Sequence, residues 1–259
     1  SNPNFNFIEA DIRTNNIFNQ LFKKPDFILH HAAMSSVPLS FKNPDLTYDI
    51  NRSGFMNILN SIVNTNIKRV IYASSSAIYG DSPKRPVAEN NQGSQLSPYA
   101  ISKADNEIYA QKFSQFYEIP TIGLRYFNIF GERQQLNTEY AAVIPKWIKN
   151  LLKNEPVVIY GDGSSSRDYC YIANIVQANI LSALIPLNDI TIPVYNVASG
   201  EEISLLSLYD FLKKELVKIR KPYLISLSDD MLEDLKDKNL IPNLSDFGIY
   251  DDESYDDLL

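Results

Sequence analysis

The stretch RVIYASSS, residues 69–76, runs apolar from Val70 to Ala73 and then ends in three serines. So short an apolar run, closed by small polar residues, reads as a buried strand. Downstream, SPYAISKADNEIYAQKF (97–113) opens on Ser97-Pro98, a helix start signal, and its pattern continues to Tyr117. TIGLRYFN (121–128) is again strand-like, and upstream FNFIEADI (5–12) and DFILHHAA (26–33) have the same character. Pro44 to Asn64 supplies another helical pattern between two of them. Strand, helix, strand, helix at this spacing predicts an α/β fold with a parallel sheet covered on both faces. Ligands of such sheets sit beyond the carboxyl ends of the strands. The expected strands end in Asp11, His30-His31-Ala32-Ala33, Ser74-Ser75-Ser76 and Tyr126-Phe127-Asn128.

After residue 131 the rhythm changes. AAVIPKWIKNLLKN (141–154) reads as a helix, and PVVIYGDGSSSRDYCYI (156–172) as strand, tight Gly-Asp-Gly turn and extended chain. VYNVASG (194–200) is a further strand and SLLSLYDFLKKEL (204–216) an amphipathic helix.

Net charge is −7, unevenly spread: residues 228–259 hold 11 Asp/Glu against Lys236 and Lys238, leaving the remainder near neutral. With no basic stripe to neutralise phosphates, nucleic acid is not an expected partner. No stretch is long and apolar enough to span a bilayer, and no signal peptide opens the chain, so a cytoplasmic protein is expected. Cys170 is the single cysteine and reads as a buried small hydrophobe. His30 and His31 are adjacent and face opposite ways in a strand, so no metal site is expected from them.

Tyr99 and Lys103 lie four apart, on one helical face. A phenol titrates at about 10 and is a poor base at neutral pH unless its anion is stabilised, which a neighbouring ammonium can do. The spacing alone is weak, since Tyr209 and Lys213 share it. What distinguishes Tyr99 is Ser76, 23 residues upstream, delivered by a strand to the carboxyl edge of the sheet. The intervening segment is rich in Pro, Gly and Asn and can loop back, so serine, tyrosine and lysine converge on one crevice.

In order, DI at 11–12, HAA at 31–33, Asn51 with Gly54, SSSAIYGD, SPYAISK, LRYFNIFG and RDYCYI resemble the extended short-chain dehydrogenase/reductase family, and within it the NAD-dependent nucleotide-sugar epimerases. The resemblance runs from about Phe7 to Gly200. It implies a Rossmann-type NAD-binding domain over 1–130, lacking its first βαβ unit. A smaller UDP-sugar-binding domain would cover most of 131–227, some segments returning to the Rossmann sheet, ahead of an acidic tail at 228–259. Asp11, Ile12, His31, Ala32, Ala33, Asn51, Ser74, Tyr99, Lys103 and Tyr126 are implied at the cofactor. Ser36, Ser75, Ser76, Tyr99, Asn128, Ala142, Val143, Lys146, Trp147, Tyr160 and Arg167 are implied at the sugar nucleotide. Ser76, Tyr99 and Lys103 are the implied catalytic residues: Tyr99 takes a proton from a sugar hydroxyl, Ser76 orients it, Lys103 lowers the phenol's pKa, and NAD carries the hydride to and from a transient ketone. Family members often pair through helices of this region, so the resemblance allows a homodimer.

Ala77 and Ile78, just after the serine run, cannot transfer protons, which disfavours the dehydratase and decarboxylase relatives. AAMSSVPLS with AAVIPKW most resembles the UDP-N-acetylglucosamine 4-epimerases of surface-polysaccharide pathways; UDP-glucose and UDP-glucuronate epimerisation stay open. Two family features are not found in residues 1–259: a strand–Gly-x-x-Gly-x-x-Gly–helix unit and a late arginine–aspartate clamp. The chain therefore reads either as the interior of an epimerase interrupted at both ends or as a non-catalytic relative.

Overall fold

The computed structural model describes residues 4–15, 25–83, 86–135 and 142–220. The chain divides into two compact units, Ser1–Gly131 with Arg167–Glu202, and Glu132–Ser166 with Ile203–Leu259.

The first unit begins with β1 (Phe27–His30), α1 (Val37–Lys42) and α2 (Pro44–Tyr48). A π-helical stretch, Asp49–Gly54, leads into α3 (Phe55–Ser61) and then β2 (Arg69–Ser75). A 3-10 turn at Ser76–Tyr79 precedes α4 (Pro98–Tyr117), β3 (Thr121–Tyr126) and β4 (Asn128–Phe130). The second unit contributes α5 (Val143–Lys153), and β5 (Ser166–Arg167) closes the excursion. The chain then returns to the first unit with β6 (Tyr169–Tyr171), α6 (Ile172–Leu184) and β7 (Val194–Val197). It ends, in the second unit, with β8 (Ile203–Ser204) and α7 (Leu205–Arg220).

The main sheet has the order β1-β2-β3-β7, and every pairing is parallel. β2 is central, which accounts for its unbroken apolar run: Val70 and Ile71 are 0% exposed. Alternate residues serve opposite layers. Val70 and Tyr72 pack with Phe55 and Leu59 of α3 and Ala110 and Phe113 of α4. Ile71 packs with Ile122 and Leu124 of β3 and with Cys170 and Ile175. Cys170 is fully buried, as its apolar reading requires.

Helix α4 starts where Ser97-Pro98 predicts: the extended Ser97 accepts the Ala100 N–H at 3.1 Å, and Pro98 occupies the first turn. It stops at Glu118, whose left-handed backbone (φ 56°) lets its N–H reach the Ser114 carbonyl. The helical pattern at 44–64 forms as α2, the π-helical stretch and α3, ending at Ser61. A Cβ added at Gly54 would lie 2.6 Å from Ile12 Cδ1, so the glycine admits the segment carrying Asp11 and Ile12.

Two expected strands do not form. Residues 5–11 join no ladder, leaving Phe5 and Phe7 at 70% and 78% exposed. β1 pairs with β2 on one side, and among the described residues no strand pairs with its other edge. The VVIY segment at 157–160 likewise joins no sheet, and Tyr160 is 84% exposed. An apolar run forms a strand only where a partner takes its backbone groups. The acidic tail at 228–259 lies outside the described residues. Among the described residues no helix is long and apolar enough to cross a membrane, and no cluster of three metal-ligating side chains occurs.

Candidate active site

Tyr99 and Lys103 occupy the first two turns of α4, and both are buried, at 9% and 3% exposure. Lys103 Nζ sits 5.9 Å from the centre of the Tyr99 ring and donates to the Ala73 carbonyl at 2.8 Å. That bond ties the lysine to the carboxyl end of β2, next to the serine run. Lys213 lies the same 5.9 Å from the Tyr209 ring, so the spacing by itself imposes this geometry. The two pairs differ in burial, because Lys213 is exposed.

Of the three serines it is Ser75 whose side chain lowers the Tyr99 phenol pKa, while Ser76 is the one the resemblance implies there. Ser75 is the last residue of β2, still extended, and its Oγ accepts the Ala77 N–H at 3.1 Å as the cap of the 3-10 turn. That leaves its own O–H to donate to the phenol oxygen. Ser76 is already the first residue of the turn. Which of three consecutive serines ends a strand is a matter of tertiary register, which sequence spacing does not carry.

Burial raises the Tyr99 phenol above its ordinary pKa, and the Ser75 hydroxyl pulls it back. Burial also holds the Lys103 ammonium down to about 8. On their own, then, these side chains leave Tyr99 protonated at neutral pH, with a buried cation one turn away. Lys103 has three N–H donors and bonds one carbonyl, so donors remain for the hydroxyls of a ribose. This is the fit to an NAD nicotinamide ribose on the chain's own residues.

The Lys103 shift predicts a pH effect. Between pH 8 and 10.5 the native chain has released the Lys103 proton and the unfolded chain still holds it. Stability from this group therefore rises with pH across that window, by about 3 kcal/mol in full. Lys103→Met, which lacks the charge, should gain stability over the parent protein at pH 7, a gain that shrinks towards pH 10. Denaturant melts at the two pH values measure it; an equal difference at both would contradict the assignment.

The cofactor candidates divide into contacts and supports. Asp11 is exposed and forms a fork with Arg13, with contacts of 3.0, 3.0 and 2.6 Å; Arg13 also reaches Asp49 at 2.9 Å. The hydrogen bonds from Arg13 pull the Asp11 carboxyl down to about 2. Asn57 donates to the Ile12 and Thr14 carbonyls, both at 2.7 Å, and so pins this corner to α3. Ala32 and Ala33 lie between β1 and α1, and Ser36 caps α1 by accepting the Leu39 N–H.

Asn51 is 1% exposed and acts on the backbone of the loop before α1. Its Oδ1 accepts the Met34 N–H at 2.7 Å, and its Nδ2 donates to the Met34 carbonyl and to Ser102 Oγ, each at 3.0 Å. Ser74 is also committed within the protein, donating to Glu107 Oε1 at 2.5 Å.

His31 and Tyr126 form a chain with Asn179, a residue the sequence did not bring forward. Asn179 Nδ2 donates to Tyr126 Oη at 2.7 Å, and Tyr126 Oη lies 2.9 Å from His31 Nε2. His31 also bonds the Leu29 backbone, which fits a proton on Nδ1, leaving Nε2 to accept from the phenol. Burial keeps His31 neutral by lowering its pKa, with the Lys103 charge adding to the effect, and pushes Tyr126 up to about 12.

Asn128 donates to the Asp168 carbonyl at 2.8 Å. Asp168, beside the exposed Arg167, turns its carboxylate to the Ser199 N–H and hydroxyl (2.8 and 2.9 Å) and to the Gly200 N–H (2.8 Å). In the second unit Trp147 is 3% exposed and meets Tyr209 edge-on at 6.2 Å, so it is packed into that unit's interior. Ala142 and Lys146 are exposed, Val143 is half-buried and Tyr160 is exposed.

A buried tyrosine beside Ser75, with a lysine one turn away, lies at the carboxyl edge of the parallel sheet, where such folds bind dinucleotides. Residues 1–198 match the NAD dependent epimerase/dehydratase family, and the chain belongs to that family. Among solved structures it is similar to UDP-N-acetylglucosamine 4-epimerase from Methanobrevibacter ruminantium in complex with UDP-N-acetylmuramic acid (39% identity, TM-score 0.73, 81% of this chain and 64% of that one). It is similar to UDP-glucose 4-epimerase from Thermotoga maritima with UDP-glucose (31%, 0.75, 80% and 67%). A third likeness is to a mutant UDP-glucuronic acid 4-epimerase from Bacillus cereus in complex with UDP-4-deoxy-4-fluoro-glucuronic acid and NAD (27%, 0.73, 80% and 64%). The chain thus spans 64% to 67% of the length of these relatives.

Proposed function

We propose that this chain carries the catalytic centre of an NAD-dependent UDP-sugar 4-epimerase, interconverting UDP-GlcNAc and UDP-GalNAc. The observation that carries the reading is the buried Tyr99 and Lys103 pair beside the half-buried Ser75. Lys103 would hold the nicotinamide ribose of NAD, which would supply a reversible hydride acceptor for the sugar C4. Tyr99 Oη receives the proton of the C4 hydroxyl and gives it back in the return step. Ser75 lowers the phenol pKa, and the Lys103 ammonium one turn away is assigned the stabilisation of the phenolate. Asn51 positions the Met34 backbone, and the Asn179–Tyr126–His31 chain fixes the imidazole that closes the cofactor side.

The 3-10 turn after Ser75 favours epimerisation over elimination. Ala77 and the fully buried Ile78 offer no second acid or base there. In the first unit Ser36 and Asn128 are assigned to the sugar nucleotide, with Arg167 for its diphosphate. The GlcNAc assignment rests on the 39% identity to the UDP-N-acetylglucosamine 4-epimerase. Exposed Ile108 and Phe116 on α4, at 62% and 78%, suit a homodimer.

The test is a product assay on the product of the complete reading frame, with NAD and, in turn, UDP-GlcNAc, UDP-glucose and UDP-glucuronate. UDP-GalNAc as the fastest-formed epimer is the expected result. Faster turnover of either other sugar would overturn the substrate assignment. No epimer from any of them, with NAD bound, would overturn the activity.

A further inference from the structure

Ser75 is gripped from both sides by a buried charged network that the chemistry above does not use. Arg125 and Glu107 are 2% and 8% exposed. Arg125 Nε and Nη2 donate to the two oxygens of Glu107 at 2.9 and 2.7 Å. Glu107 Oε1 also accepts from Ser74, the residue before Ser75. Arg125 Nη1 donates to Tyr79 Oη at 3.0 Å, and Tyr79 closes the turn that Ser75 caps. The same Nη1 donates to the Glu89 carbonyl at 2.8 Å, and Glu89 Oε1 accepts the Asn196 N–H at 2.9 Å. Tyr79 Oη in turn donates to Asn196 Oδ1 at 2.5 Å. The network joins α4, β2, β3, β7 and the loop between Ser75 and Tyr99.

Its logic follows from strand pairing. Ser74 stands opposite Arg125 in the β2–β3 register, and Ser75 opposite Tyr126. Residues paired across a sheet project to the same face, and successive residues to opposite faces. Ser74 and Arg125 therefore both reach Glu107, which lies on α4 one turn beyond Lys103 and two beyond Tyr99.

We propose that Glu107 and Arg125 are a positioning pair that holds Ser75 in register with Tyr99 and keeps the Glu107 carboxylate away from Lys103. The proposal rests on the base reading of Tyr99. An acid at the fourth residue after a lysine would ordinarily pair with it. Here both Glu107 oxygens are taken by Arg125, and Lys103 bonds a carbonyl instead. The titratable and charged groups around the fork are Tyr72, Tyr79, Glu89 and Lys103. Around the phenol they are Lys103 and, facing Lys103 from the end of β1, His30 and His31.

Ser74→Ala removes one link and leaves the ion pair, and Glu107→Gln keeps the shape but frees the hold on Arg125. In both, the acid limb of the kcat–pH profile should move up by about one pH unit, with kcat at pH 7 about tenfold lower and KM for the UDP-sugar within about twofold. A pair that served stability alone would lower the melting temperature and leave the limb in place, and that result overturns the proposal. Tyr99→Phe, assayed alongside, separates the two failures. If it abolishes turnover while Ser74→Ala leaves the profile unmoved, the positioning role alone is wrong. If Tyr99→Phe turns over normally, the base reading falls first.

Discussion

Tyr99→Phe should lower kcat by about a thousandfold while leaving the affinity for the UDP-sugar within about twofold, the signature of a lost general base. The substitution deletes one oxygen from a ring that is 9% exposed and leaves the packing in place. What disappears is the atom that meets the Ser75 hydroxyl, at the end of a helix that keeps Lys103 in position. Steady-state kinetics and a binding titration on the same variant measure it. Unchanged turnover would mean that another group takes the proton, and the role of the whole cluster would have to be reassigned.

The second large effect is on stability. Arg125→Met should cost about 3–5 kcal/mol, because it strands Glu107 as an unpaired charge in the interior. For a chain of this size that lowers the melting temperature by roughly 10 °C. Burial alone would push the guanidinium pKa down, and the Glu107 carboxylate more than offsets it, which is the mark of a closely coupled pair. Replacing both members, Arg125→Met with Glu107→Met, should recover much of the loss, since two apolar groups leave no charge behind. Thermal melts of the three variants decide it. A loss under about 1 kcal/mol for Arg125→Met alone would show that the fork is not a coupled buried pair.

These predictions separate what is local from what is not. The i, i+4 placement of Lys103 beside Tyr99 is a property of any helix, which is why Tyr209 and Lys213 repeat it at the same 5.9 Å. The start of α4 at Ser97-Pro98 is equally local, since a cap and a fixed proline φ act within one turn. Phe5–Ile12 and Val157–Tyr160 show the limit of the same kind of reading. Their composition suits strands, but strand formation depends on a partner elsewhere in the chain.

From sequence alone followed the parallel α/β sheet, the helix that carries Tyr99 and Lys103, and the edge of the sheet where the candidate site lies. These rest on periodicity, caps and alternation, all of which act over a few residues. Tertiary structure alone showed that Ser74 bonds Glu107, that Asn51 bonds the Met34 backbone, and that Trp147 packs against Tyr209. It alone joined Glu107 to Arg125 and Asn179 to Tyr126, 18 and 53 positions apart. Which face a strand residue takes, and which hydroxyl lies within 3 Å of which oxygen, depends on the register between strands and on where each strand ends. That register is settled by burial across the whole sheet, and no short stretch of the chain contains it.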